Sequence, residues 1–134
     1  MLFRSANTAM NLAALGARVR IVGVLGADEP GDRLRTLLED GGCDTTLLVE
    51  DSDGTTTTKT RIVVGDQVMC RLDRTAAPPG LETLRDLRAA LPGAVRDSSA
   101  VVVCDYGAAV HRGELVSSLA EVLDTAPHRT GRSP

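Results

Sequence analysis

Lysine and aromatic side chains are nearly missing from this 134-residue chain: of 15 basic residues only Lys59 is a lysine, and Phe3 and Tyr106 are the only aromatics. Stacking platforms for nucleobases or sugar rings are therefore in short supply, and any ligand has to be held by polar groups. The arginines are scattered among acidic residues and the net charge is −3, which argues against a phosphate-neutralising nucleic-acid surface. The near-exclusion of lysine reads as the codon bias of a GC-rich genome rather than as a function. Cysteine is also sparse. Cys43, Cys70 and Cys104 are odd in number and lack metal-ligand spacing, so neither a disulfide framework nor a zinc site is expected, and all three read as small buried apolar residues. No apolar run is long enough for a membrane span, and Met1-Leu2-Phe3-Arg4 does not open a secretory signal, so a cytoplasmic protein is expected. What remains, 43% apolar and 25% charged, is the composition of one globular domain.

Periodicity supplies the elements. Apolar residues from Ser5 to Leu15 fall on one helical face, with Ser5 or Asn7 as N-cap and Gly16 as terminator. Residues 18–24 read as a buried strand running into the Gly23-Val24-Leu25-Gly26 loop, and residues 29–40 as a helix opened by Pro30 and closed by Gly41-Gly42. Residues 46–50 and 55–73, rich in Thr, Val and Ile, carry turn signals at Asp51-Ser52-Asp53-Gly54 and Gly65-Asp66, which predicts a small antiparallel sheet with a hairpin at Gly65. Ala76-Ala77-Pro78-Pro79-Gly80 is a linker, 81–91 a helix, 100–104 a short apolar strand and 114–123 another helix. Strands alternating with helices imply an α/β fold around a parallel sheet that contains 18–24 and 100–104. Residues 125–134, polar and aperiodic, are expected to be a disordered tail. The domain division expected is thus 1–45 as the first part of an α/β body, 46–73 as a β lid and 74–124 as the rest of the body.

Generic motifs name no reaction. Gly23-x-x-Gly26 lacks the third glycine of a dinucleotide fingerprint, no Walker A loop occurs, and His111 and His128 have no nucleophile or metal cluster beside them. Two local features carry more. Asp105-Tyr106-Gly107 follows the strand at 100–104, and ligands of open α/β sheets collect outside such strand ends, so Asp105 is either a ligand contact or a turn-forming aspartate. In the hairpin, a two-residue loop at Gly65-Asp66 would pair Val64 with Gln67. Strict alternation would then put Thr60, Ile62, Met69 and Arg71 on one face and Lys59, Arg61, Val68 and Cys70 on the other. Arg61 and Arg71 would point oppositely, one free to read an anion with its planar fork and the other placed in a surface ion pair, or both merely solvated.

The combination of Ser5-Ala6-Asn7-Thr8-Ala9-Met10-Asn11-Leu12-Ala13-Ala14-Leu15-Gly16-Ala17, Val22-Gly23-Val24-Leu25-Gly26-Ala27-Asp28, Thr58-Lys59-Thr60-Arg61, Gln67 to Asp73 and Asp105-Tyr106-Gly107, in that order, resembles the ribokinase-like (PfkB) carbohydrate kinases. Within that family it most resembles the heptose 7-phosphate kinases of ADP-heptose synthesis. The resemblance covers residues 4–123 and implies an incomplete ribokinase-like, Rossmann-like α/β fold with a small antiparallel β lid closing over a sugar. Kinases of this kind transfer the γ-phosphoryl of ATP, with Mg²⁺, to a sugar or sugar phosphate. By position, Asn7 matches the asparagine that hydrogen-bonds sugar hydroxyls, Asp105 stands at the substrate-side strand end, and Arg61 and Arg71 on the lid strands are the phosphate readers. Lid sheets of this family also pair between subunits, which implies a homodimer.

The departures from the family pattern are specific. Phe3 and Arg4 replace a Gly-Gly pair, where side chains crowd the approach of backbone to sugar, and Ala108-Ala109 replace a Lys-Gly. The family's first strand with its sugar-binding aspartate, its Gly-Ala-Gly-Asp anion hole and base, and its nucleotide site have no counterpart in these residues. The expectation is an N-terminal-half fragment with no catalytic or metal-binding residue of its own, inactive alone. The alternative is a non-catalytic sugar-binding or dimerisation module.

Overall fold

The computed structural model describes residues 2–104 and 112–125. Helix α1 (Leu2–Ala14) is followed by strand β1 (Arg20–Gly26), helix α2 (Glu29–Asp40), strand β2 (Asp44–Asp51), strands β3 (Thr58–Val64) and β4 (Gln67–Arg74), and helices α3 (Leu81–Val95) and α4 (Arg112–Thr125). They form two separate two-stranded sheets, β1–β2 parallel and β3–β4 antiparallel. The expected mixed α/β architecture with a separate antiparallel piece is what the chain adopts.

The first helix begins three residues earlier than its spacing predicts, so Ser5 and Asn7 lie within it and cap nothing. Its end is as expected: Ala17 N–H donates to Leu12 C=O at 3.1 Å and Gly16 N–H to Ala13 C=O at 2.9 Å, with Gly16 at φ +89°. This double closure needs a left-handed residue, which glycine supplies without a Cβ clash. Ala6 and Ala9 then bury one face of α1 against Ile21, Leu25, Leu38, Cys43 and Leu48, with Met10, Ala13, Val19 and Leu34 around them. Leu25 and Leu38, 1% and 0% exposed, are the centre of this core.

Residues 46–50 do not join the antiparallel sheet. They lie in β2, which pairs with β1 from Val22↔Leu47 to Gly26↔Asp51. Alternation alone does not separate parallel from antiparallel pairing, but the 12-residue helix between the two strands does. A crossover of that length returns the chain parallel to its first strand, and Leu48 then joins the core beneath α1 and α2. The antiparallel piece is accordingly confined to β3 and β4. On the opposite face of β1–β2 lies α3, which buries Thr83, Leu87, Leu91 and Val95 and runs through Pro92, beyond its expected end at residue 91. Arg20 ties this helix down: its Nη1 donates to Gly93 C=O at 2.7 Å and its Nε to Asp44 Oδ2 at 3.1 Å. A cation on the last carbonyls of a helix also complements the negative end of its dipole.

Residues 101–104 form no strand. Val101, Val102 and Val103 are 41%, 61% and 60% exposed, and no backbone hydrogen bond links them to β1 among the described residues. A strand is defined by a neighbour, and here none is present. The cysteines also divide: Cys43 is buried, Cys104 half-buried and Cys70 exposed, on a strand whose residues are all exposed. Asp105, Ala108, Ala109, His111, His128 and the expected tail from residue 126 onward lie outside the described residues, while Thr125 is the last residue of α4.

Candidate functional site

The carboxyl end of β1 is where the body meets the hairpin. Gly26 there leaves no room for a side chain, since a Cβ would sit 2.6 Å from the Thr55 Cα and 2.7 Å from the Gly54 carbonyl oxygen. The strap of residues 54–57 that leads into β3 therefore lies directly on the strand end. Thr56, 7% exposed, fastens it: its Oγ1 accepts the Gly26 N–H at 3.0 Å while its own N–H donates to Asp28 Oδ2 at 2.8 Å. Asp28 is also the N-cap of α2, taking the Gly31 N–H on Oδ1 at 3.0 Å. One carboxylate thus holds the start of a helix and the root of the hairpin together. Partial burial pushes the Asp28 carboxyl upward, but the hydroxyl and N–H of Thr56, the N–H of Gly31 and the charge of Arg74 outweigh it and hold it below the ordinary aspartate value.

The hairpin itself is a two-residue turn with Gly65 at φ +59°, and among the described residues Asp66 is not in the left-handed region, which is the pattern of a type II′ turn. Val64 pairs with Gln67 and Val63 with Val68, as expected, but the register slips before Ile62, which faces Cys70 rather than Met69. Met69 is the extra residue of a β-bulge. A one-residue insertion reverses the alternation beyond it. Arg61 therefore lies directly across from Arg71, and Lys59 across from Asp73. The expectation that the two arginines point to opposite faces is overturned for this reason: strict alternation has no place for a bulge.

The result is a hairpin with three cations on one of its faces and Arg74 at the root of the other. On one, Lys59, Arg61 and Arg71 gather around a single carboxylate, with Arg71 Nε 2.9 Å from Asp73 Oδ1 and Lys59 Nζ 3.8 Å from Asp73 Oδ2. Arg61 has no ion pair among the described residues and is exposed. Three cations against one anion leave this face in need of a further negative partner. The other face carries Ile62, Val64 and Leu72, 45%, 67% and 59% exposed, with Cys70. Asn7 stands exposed on α1, away from these strands, and Asp105 is outside the described residues, so the structure brings together two of the four expected substrate residues.

A trough of about 1290 Å³ runs along the body, lined by Ser5 and Thr8 of α1, the length of β1, the strap at Thr55–Thr57 and the Val101–Cys104 segment. One end of it reaches the carboxyl end of a parallel strand, where ligands of α/β sheets bind. Sequence reasoning did not single out Asp28 or Thr56; a signal was available in Asp28 as a good capping residue two positions ahead of Pro30. No Walker-type loop occurs in the sequence, and among the described residues no three His, Cys, Asp or Glu side chains converge. None of the described helices is long and apolar enough to cross a membrane.

A parallel β-α-β unit backed by helices on both faces, with a detached antiparallel hairpin rooted at a strand's carboxyl end, is an α/β architecture suited to a lidded ligand site. Residues 4–105 match the family model described as pfkB family carbohydrate kinase, and the chain belongs to that family. It is 38% identical over 117 residues to the "Bifunctional protein HldE" of Methylobacillus flagellatus, covering 86% of this chain and 24% of that protein. It is 37% identical over 106 residues to the "D-beta-D-heptose 7-phosphate kinase" of Bordetella bronchiseptica, covering 79% and 33%. A second "Bifunctional protein HldE", from Desulfatibacillum aliphaticivorans, is 33% identical over 121 residues, covering 90% and 25%. The chain thus spans between a quarter and a third of the length of these relatives.

The fastening at the strand end gives a direct expectation. Thr56→Val leaves the Gly26 N–H without its acceptor and removes a donor to Asp28, so denaturant titration should show a loss of about 1–3 kcal/mol. Since the folded Asp28 carboxyl titrates below its unfolded value, its contribution is complete above about pH 4 and disappears as pH falls through the lowered value. Asp28→Asn should accordingly flatten part of the acid limb of the stability profile; an unchanged limb would mean that Asp28 adds nothing to the junction.

Proposed function

We propose that these residues form the substrate side of a kinase that phosphorylates a sugar phosphate, of which heptose 7-phosphate is the best candidate, using ATP and Mg²⁺ bound by residues outside the described part of the chain. The observation that carries this is the bulge at Met69, which sets Arg61 and Arg71 opposite one another on a cation-rich face. A phosphate accepts two parallel hydrogen bonds from a guanidinium fork, and two forks on one face suit a dianion better than one. Arg61, with no competing carboxylate, is the primary reader, and Arg71 contributes what its pair with Asp73 leaves free. Asn7 on α1 holds sugar hydroxyls, and Asp105, following the Val101–Cys104 segment, completes the sugar side. The names of the relatives from Methylobacillus and Bordetella support heptose as the sugar. In this reading the body comprises the segments on either side of the hairpin, and β3–β4 is the lid.

Calorimetric titration with heptose 7-phosphate and with the unphosphorylated heptose tests the assignment. Arg61→Ala should weaken the phosphorylated sugar by about 1.5–3 kcal/mol and leave the other nearly unchanged. Equal losses for both sugars would make the arginine structural.

Phosphoryl transfer is catalysed by positioned charge around the transferring group, and no set of these residues supplies it. The 134-residue chain by itself is therefore expected to give no sugar-dependent signal in a coupled ADP-release assay with ATP and Mg²⁺. Turnover above the no-enzyme control would overturn the assignment of catalysis to residues elsewhere.

The apolar face of the hairpin favours a second role beside the first. Ile62, Val64 and Leu72 are exposed on a two-stranded sheet that, among the described residues, makes no extensive contact with another element, and such a hairpin is marginal in water by itself. A second copy of the chain covering this face would bury both sets. Sedimentation should then show a dimer that Leu72→Asp converts to monomer; a monomeric parent at high concentration would remove this role.

A further inference from the structure

Three threonines are buried among the described residues, Thr45, Thr56 and Thr83, at 5%, 7% and 8% exposed. Two of them are hydrogen-bonded: Thr45 Oγ1 donates to Glu39 Oε1, and Thr56 Oγ1 accepts the Gly26 N–H. The Thr83 hydroxyl has no partner among the described residues. Since no side-chain oxygen there is both sealed from solvent and unpaired, this hydroxyl opens onto free space. The space is a cavity of about 390 Å³ that Thr83 lines. A polar group so deeply placed and without a protein partner calls for one from outside the chain.

The cavity lies between the carboxyl end of β2 and the amino end of α3, at the foot of the hairpin. One wall is the first turn of α3. Gly80, its N-cap, is extended and has no side chain to offer, so the N–H groups of Leu81, Glu82 and Thr83 receive no side-chain cap. Such a helix end carries about half a positive charge. Another wall holds Asp51, the last residue of β2, and Asp53 in the turn that follows. The Asp51 carboxylate folds over Gly54, its Oδ2 2.6 Å from where a Cβ would stand, and any side chain there would displace it. Neither aspartate has an ion pair among the described residues, and no Lys, Arg or His lines the cavity.

The simple occupants do not match these walls. An anion on the α3 N–H groups would gain from about half a charge and meet the full charges of Asp51, Asp53 and Glu82. A metal ion finds no three converging His, Cys, Asp or Glu side chains among the described residues. An organic cation alone would leave the N–H groups and the Thr83 hydroxyl without an acceptor. A molecule that carries a cationic donor at one end and an acceptor anion at the other pairs with both walls. We propose that this cavity binds a zwitterionic α-amino acid, its ammonium group donating to Asp51 and Asp53 and its carboxylate accepting from the first-turn N–H groups of α3 and the Thr83 hydroxyl. Glu82 stays exposed in the first turn, where the helix dipole favours an acid. Ala77, Pro78 and Leu81 line the remainder and suit a short apolar side chain. The bound molecule bridges the turn before β3 and the segment after β4, the two legs of the hairpin. Asn7, Arg61 and Arg71 do not line this cavity, so the site stands apart from the sugar reading.

Titration of the full, isotope-labelled chain with L-alanine, and separately with acetate, ethylammonium and glycerol, tests this by amide chemical shift. L-Alanine should move the amides of Asp53, Gly54, Leu81, Glu82 and Thr83 saturably, with a Kd of about 1 mM, in keeping with so small a ligand. The other three, which each lack one or both charged ends, should bind about tenfold or more weakly. Asp53→Asn, on an exposed turn, and Thr83→Val, which keeps the shape and loses the hydroxyl, should each weaken L-alanine about three- to tenfold. Thr83→Val should at the same time leave the melting temperature unchanged or raise it, because the free chain has no hydrogen bond to lose there. A purely structural threonine would show the reverse, a lowered melting temperature with unchanged affinity. That reversal, acetate, ethylammonium or glycerol matching L-alanine, or the lack of a saturable shift at these amides overturns the proposal. Heptose 7-phosphate is titrated separately, so L-alanine binding without phosphate discrimination at Arg61 would refute the substrate assignment and leave this site standing.

Discussion

Strand β1 is the constraint on which the rest of the chain depends. Its two faces are covered, by α1 and α2 on the Ile21–Leu25 side and by α3 on the other, and one of its edges is bonded to β2. Helix α2 is held in place because its N-cap, Asp28, follows directly from the end of this strand, and the hairpin is held because Thr56 closes on Gly26. Arg20 at the strand's start does the same for α3. Helices α2 and α3 and the hairpin with Arg61 and Arg71 are thus each fastened through one residue to a single seven-residue strand.

The fastenings differ in kind. At the core, Leu25 and Leu38 contribute by removal from water, a term roughly proportional to buried apolar area and indifferent to direction. At the junction with the hairpin, direction is everything: Gly26, Asp28 and Thr56 exchange hydrogen bonds in a half-buried setting where each donor has an acceptor. Such a network locates the root of the hairpin, and among the described residues β3 and β4 make no extensive contact with another element.

The surface charge follows the same logic of local geometry. The Lys59–Asp73 pair is half-buried and the Arg71–Asp73 pair more open, and at 3.8 Å or in solvent such pairs contribute little to stability. Their value lies in orientation: Asp73 gathers two cations beside Arg61 without neutralising all three. The bulge at Met69 is the cause, since it is the extra residue that brings the arginines across from one another.

Much of this was determined by the sequence alone. The limits of α2, the closure of α1 at Gly16, the turn at Gly65 and the mixed α/β class all follow from local rules, because capping, left-handed glycine and apolar period act within a few residues. Asp105, Arg61 and Arg71 were singled out by their place after an expected strand and on a hairpin, and Asn7 by resemblance, but nothing in their neighbours along the chain could say how they are arranged in space. Only the tertiary structure decided that β2 runs parallel to β1, that the arginines share a face, and that residues 101–104 make no strand. The physical reason is common to all three. Strand pairing is a relation between segments distant in sequence, so its direction, its register and its very existence depend on which partner is present, and a single strand's own residues do not record that.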